Sequence, residues 1–156
     1  NEAANGLLSR IGNGDGKAAI ATVTATAQRY GFTSSEELRT LTGMASGNAV
    51  ENWTSTRDCG SFLSQVYAGT LVSKNASERM MQLLLGQTRR TKIPAGVPSG
   101  VKVANKTGEL AAVQNDVAIV FGTHPYVLAV MSSDISSAVA PSQITELSRA
   151  VWDAAQ

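Results

Sequence analysis

Hydrophobic residues change their spacing sharply near residue 100 of this chain. Up to residue 92, outside 32–53, they recur every three or four positions, as on one face of a helix. From residue 101 they fall into three β-branched and apolar runs, 101–107, 117–121 and 126–131, with turn residues between them. A chain that places helices first and strands last cannot build alternating parallel βαβ units, and such short connections fit an antiparallel meander. A last helical pattern follows, with Pro141 suited to its first turn and Ile144, Leu147, Ala150 and Val151 as its apolar face. The expected class is α+β: helices, a three-stranded antiparallel meander, then a C-terminal helix.

Local signals divide the helical part. Residues 1–11 read as a short helix or the tail of one, closed by Gly12-Asn13-Gly14-Asp15-Gly16, and 17–30 as an alanine-rich second one ending at Gly31. Residues 32–53 lose the periodicity and contain Gly43 and Gly47, which predicts a long irregular segment of the kind kept for function. Ser55-Thr56-Arg57-Asp58 has the form of a capping box, before a helix whose core face carries Cys59, Phe62, Leu63, Val66 and Tyr67. Ser73 or Asn75 can cap a fourth helix with Met80, Leu83 and Leu84 as its stripe, finished by Gly86 and the basic Arg89-Arg90. Residues 93–100 form a Pro/Gly turn region.

With 13 basic and 12 acidic side chains, the net charge of +1 leaves no electrostatic footprint for nucleic acid or for an anionic lipid surface. No apolar run approaches the roughly 18 residues of a membrane span. One histidine, His124, and one cysteine, Cys59, far apart, make no metal-ligand spacing, and no metal or cofactor is expected. His124 lies between two strands and reads as a turn residue. Asn13-Gly14-Asp15-Gly16-Lys17 lacks the further ligands of a calcium loop and the spacing of a phosphate loop, so it reads as a turn and helix cap. Arg89, Arg90 and Lys92 read as a helix-end cluster.

The strongest chemical signal is Val103-Ala104-Asn105-Lys106-Thr107-Gly108-Glu109, a Lys-Thr-Gly triplet on a strand that leads into a hairpin. It resembles the KTG element of penicillin-recognising serine enzymes. The rest of the chain resembles the same family, the class A β-lactamases and penicillin-binding proteins, from their second motif onward. Arg57-Asp58-Cys59-Gly60-Ser61-Phe62-Leu63 is similar to the helix after the active-site loop, and Ile93-Pro94-Ala95-Gly96-Val97-Pro98 to the approach to the KTG strand. Asn1-Glu2-Ala3-Ala4-Asn5 resembles the family's Asn-x-Ala-Ala-Asn, with Asn1 as the last residue of Ser-Asp-Asn.

The resemblance implies a β-lactamase/transpeptidase-like fold, present in part, with 1–156 as one partial domain: a mainly helical part, 1–92, and a sheet-and-helix part, 93–156. It implies an acyl-enzyme hydrolase acting on β-lactams or on D-Ala-D-Ala peptides of peptidoglycan, hence penicillin binding and antibiotic resistance, and an extracytoplasmic parent. Lys106 would set an ammonium near the nucleophile and the substrate carboxylate, and the Glu109 backbone N–H would be an oxyanion donor. Thr107 would bind that carboxylate, Gly108 would let substrate lie along the strand, Asn1 would bind the acylamino carbonyl, and Asn5 would tie its helix to the active-site loop. The nucleophilic Ser-x-x-Lys would lie upstream, since the internal match Ser99-Gly100-Val101-Lys102 leads into a strand, where residues three apart face opposite ways. A chain lacking that segment is expected to be inactive alone, and to need a complementary N-terminal segment or a dimer to cover its open sheet edge. The alternative is a non-catalytic module on this fold that binds cell-wall peptide or protein.

Two positions depart from the family. Leu41 stands near the place of the deacylating glutamate, with Glu36, Glu37 and Glu51 as displaced candidates. Asp116 stands near the place of a carboxylate-binding arginine, either as a repelling charge at the site or as a turn residue facing solvent. Loss of the base predicts a persistent acyl-enzyme and favours a peptidase-like role over fast antibiotic hydrolysis.

Overall fold

The structure, a computed structural model, describes residues 1–41 and 51–156; the predicted irregular segment therefore lies partly outside the described residues, Gly43 and Gly47 included. Two compact units divide the chain, Asn1–Asp58 and Cys59–Gln156.

In the first unit, α1 (Glu2–Ile11) and α2 (Gly16–Arg29) pack against each other. Asp15 caps α2, its carboxylate accepting from the N–H groups of Lys17 (2.9 Å) and Ala18 (3.1 Å), which is the turn-and-cap role its sequence suggests. Among the described residues of this unit, Leu8, Ala19 and Phe32 are the buried apolar ones. α3 (Thr56–Ala68) begins in this unit, and its N-terminus is only half the expected box. Ser55 Oγ accepts from the Asp58 N–H at 3.1 Å, while the buried Asp58 carboxylate accepts from Ser34 N–H and Ser35 Oγ, both at 2.8 Å. The box residue has been diverted to hold the chain that leaves α2.

The second unit is a three-layer arrangement around one sheet. Strands β1 (Lys102–Leu110), β2 (Val113–Phe121) and β3 (Tyr126–Val130) form an antiparallel meander in the order β1-β2-β3, with Lys106 opposite Val117 and Thr107 opposite Asp116. The first two strands are longer than their apolar runs, because the ladder continues through 108–110 and 113–116, past the polar Glu109, Gln114, Asn115 and Asp116, to a turn at Ala111 and Ala112. Alternation sends Ala104 and Ile119 to one face, against Leu63 of α3 and Met81, Leu84 and Leu85 of α4 (Lys74–Leu85). Val103, Ala118 and Val120 go to the other, against Ile93, Ile144 and Trp152. Ile144 and Trp152 belong to α5 (Ala140–Ala155), and Ile93 opens the one-turn 3₁₀ segment Ile93–Gly96.

Both helix stripes differ from expectation. On α4, Ser77 is buried while Leu83 is 78% exposed; on α5, Ala140, Ile144 and Ser148 are buried while Leu147 stands outward. The reason is polar. Ser77 Oγ donates to Leu71 O (2.9 Å) and Ser148 Oγ to Ile93 O (2.8 Å), so each serine satisfies a buried carbonyl on the inner face. Gly96 permits the close seat of α5, since a Cβ there would lie 2.4 Å from Thr145 O and 2.5 Å from Ser148 Cβ. Cys59, expected in the core, is only half-buried.

Candidate active site

β1 borders the sheet on one side, and the direction of its free backbone groups follows from two contacts. The Arg90 guanidinium donates to Val103 O (3.2 Å), so that carbonyl faces away from β2. On the far side of β2, Ser132 bonds both the Gln114 N–H (3.3 Å) and its carbonyl (2.6 Å), and Gln114 is the cross-strand partner of Glu109. Because backbone groups alternate along a strand, Val103, Asn105, Thr107 and Glu109 all present N–H and C=O on the outer edge. The Glu109 N–H thus points where an incoming carbonyl oxygen could meet it. The side chain of Lys106 is exposed on the α3/α4 face and donates to Thr107 O. Thr107 is buried, at 6% exposed. A Cβ on Gly108 would lie 3.6 Å from Asn115 Cβ, an ordinary contact, so packing does not itself demand glycine there.

Behind this edge lies a polar set that the sequence did not announce. Asp116 is fully buried, neither a repelling charge beside substrate nor a solvent-facing turn residue: β2 carries it to the inner face, where its carboxylate accepts from Ile93 N–H and Asn105 Nδ2, each at 3.0 Å. Burial pushes the Asp116 carboxyl above its ordinary range, against the opposing effects of these hydrogen bonds and the Lys92 charge. Asn105 Nδ2 also donates to Arg89 O (3.3 Å), which fixes the amide orientation and leaves Asn105 Oδ1 buried without a partner. The basic cluster is not a helix end either. α4 closes at Gly86, and the segment beyond it turns its cations onto the sheet: Arg89 Nη1 to Glu109 Oε2 (3.0 Å), and Lys92 Nζ to Glu109 Oε1 and Asn115 O (both 3.1 Å). Burial raises the Glu109 pKa, but the Lys92 hydrogen bond and charge, the Arg89 charge and the Thr107 hydroxyl outweigh it and hold the carboxyl below its usual range.

Asn1 precedes α1 and Asn5 lies on it, in the first unit. Asn1 is the exposed N-cap residue and makes no side-chain capping bond. Asn5 Oδ1 accepts from the Leu41 N–H at 2.8 Å. The chain on either side of 42–50 is pinned: Asn52 Oδ1 accepts from Leu38 and Arg39 N–H (both 2.8 Å), and Arg39 donates to Glu51 Oε2 at 2.6 and 3.2 Å. Glu36 exchanges backbone bonds with Trp53 (2.9 and 3.0 Å), and the Glu37 backbone pairs with Thr24 Oγ1. Glu51 is therefore committed to Arg39. Burial lifts the Glu37 carboxyl above its usual range, the Arg39 charge opposing. Ser99 and Gly100 form a turn, so the internal Ser-x-x-Lys is not helical, and His124 is a turn residue bonded through its backbone to the Gln156 side chain (3.3 and 3.0 Å).

The family model described as the β-lactamase enzyme family matches residues 1–155. This chain belongs to that family. Among solved structures, it is similar to a β-lactamase from Sphaerobacter thermophilus DSM 20745, at 24% identity and TM-score 0.87, over 98% of this chain and 57% of that one. It is similar to a β-lactamase from Chitinophaga pinensis DSM 2588, at 24% identity and TM-score 0.77, over 88% of this chain and 56% of that one. It is also similar to the penicillin-G acyl-enzyme complex of the PBP-A L158E mutant, at 23% identity and TM-score 0.74, over 86% and 51%. At these identities the likeness is one of fold, and the chain spans little more than half the length of each. No curated protein matches it significantly. The β-lactamase fold, as helices, a three-stranded antiparallel sheet and a C-terminal helix, is thus present in part. Among the described residues, no helix is long and apolar enough to cross a membrane.

Proposed function

We propose that this β-lactamase-family chain contributes the KTG side of a serine acyl-transfer site for β-lactams or D-Ala-D-Ala peptides, the nucleophilic Ser-x-x-Lys coming from a segment outside residues 1–156. The observation that carries this reading is the edge placement of β1, with Lys106 exposed beside it and the Glu109 N–H on the outer edge. A carbonyl polarised by that N–H becomes a better electrophile, and a fixed donor of this kind is worth about 10²–10³ in rate. Lys106 supplies the positive charge that favours deprotonation of a nearby serine and holds the substrate carboxylate, and Thr107 takes part in that hold. Gly108 keeps the strand edge open. Asn1 donates its amide to the acylamino carbonyl, and Asn5 holds the Leu41 backbone in the active-site loop. On its own this chain is inactive; it is one portion of an extracytoplasmic enzyme domain whose complementary N-terminal segment, or a second copy, covers the other sheet edge, at β3, and leaves the β1 edge to substrate.

The acyl-enzyme is long-lived in this reading, so penicillin binding prevails over turnover. Leu41 offers no base, and Glu51 is held by Arg39. The test is intact mass spectrometry of the full natural gene product before and after incubation with a fluorescent penicillin. One stable adduct on a serine outside residues 1–156 is expected. A folded full-length product that takes up no label would instead make the chain a non-catalytic binding module.

A further inference from the structure

The side chain of Glu109 is held more firmly than an oxyanion donor needs, since the donor is its backbone N–H. Each of its carboxylate oxygens has its own cation, Lys92 on Oε1 and Arg89 on Oε2. Lys92 is only 2% exposed, so its ammonium has been taken out of water to make these contacts, which is costly unless it is well paired. It is paired twice, to Glu109 on β1 and to Asn115 O on β2, and Asn115 is the cross-strand partner of Gly108. One buried cation thereby stitches the two strands together at the rung beside the proposed oxyanion donor. The next residue, Ile93, is tied through its N–H to Asp116, the partner of Thr107.

We propose that Lys92, acting through the Glu109 carboxylate, is a positioning residue for acyl transfer: it fixes the end of β1 so that the Glu109 N–H is set before the substrate arrives. This rests on the acyl-transfer reading above. The mechanism requires the clamp because β1 has no neighbouring strand on its outer side among the described residues, and a donor misplaced by about 1 Å can cost about 10² in rate. Arg89, with 68% of its side chain exposed, adds less to the hold.

The test uses the full natural product and measures acylation by a carboxylate-bearing penicillin and by a carboxylate-free thioester. In both Lys92→Met and Glu109→Gln, the saturating acylation rate should fall about ten- to hundredfold for both donors, with apparent binding constants within about threefold of wild type and Arg89→Met least affected. Glu109→Gln is nearly isosteric at a side chain 31% exposed, so it decides the matter if Lys92→Met fails to fold. Unchanged rates in Glu109→Gln would overturn the proposal. So would a loss confined to binding of the carboxylate-bearing donor, which would make the cluster a ligand contact. A wild-type protein that is not acylated at all sinks the parent reading, whereas normal acylation in wild type and variants alike sinks only this inference.

Discussion

Asp116→Ala should be the most damaging single change at the back of the candidate site, and the structure sets its size. Removing the carboxylate leaves two buried donors, Ile93 N–H and Asn105 Nδ2, without their acceptor. An unsatisfied buried group costs about 1–3 kcal/mol, so two stranded donors cost about 2–6 kcal/mol. Asp116→Asn keeps the shape, and its oxygen can still accept from Ile93. Its new NH₂ then faces the Asn105 NH₂, and Asn105 can relieve this by flipping its otherwise unpartnered oxygen inward, at the cost of its bond to Arg89 O. That is one hydrogen bond exchanged rather than two groups stranded, about 1–2 kcal/mol. Urea unfolding of the full-length protein, followed by tryptophan fluorescence with Trp152 packed against this core, measures both values. The pH dependence has a definite sign. A carboxyl raised above its unfolded value binds more protons in the native state, so its contribution to stability falls as pH rises from 3.8 through the folded pKa. The wild-type advantage over Asp116→Asn should therefore shrink as pH rises through that window. An alanine variant within about 1 kcal/mol of wild type, or an asparagine variant as unstable as the alanine one, would refute the reasoning.

Glu109 titrates in the opposite sense: its depressed pKa gives stability that is present above the ordinary value of 4.5 and lost as pH falls through the folded value, so Glu109→Gln should flatten the acid limb of a melting-temperature profile. Gly96→Ala drives a Cβ into the backbone of α5, with Thr145 O at 2.4 Å, and should cost about 1–3 kcal/mol in the same urea assay; no measurable change would mean that α5 seats less closely than described. Leu41→Glu places a carboxylate at a residue whose N–H is held by Asn5, and should shorten the lifetime of the penicilloyl adduct by about 10²-fold or more, read by the decay of the mass shift; an unchanged lifetime would remove Leu41 from the deacylation position.

Apolar spacing and a tripeptide motif carried the architecture, and they failed where polar groups decide which face is buried. Leu83 and Leu147 were assigned inward because leucine at helical spacing normally is, yet Ser77 and Ser148 took the inner positions through single hydrogen bonds to Leu71 and Ile93 carbonyls. No helix-local rule contains those partners, which lie 6 and 55 residues away. Asp116 was misread for the same reason: a charge in a strand reads as surface until Ile93 and Asn105, 23 and 11 residues distant, are brought to it. The Lys106-Thr107-Gly108 triplet was legible because its residues are consecutive, and a strand needs only its own sequence to carry them. What holds that strand was not legible, since Arg89 and Lys92 read as a basic tail to a helix that ends at Gly86. A weak signal was available. Three cations followed at once by Ile93-Pro94-Ala95-Gly96 cannot continue a helix, so the chain must turn there and deliver them to whatever strand comes next, where Glu109 is the only carboxylate of β1.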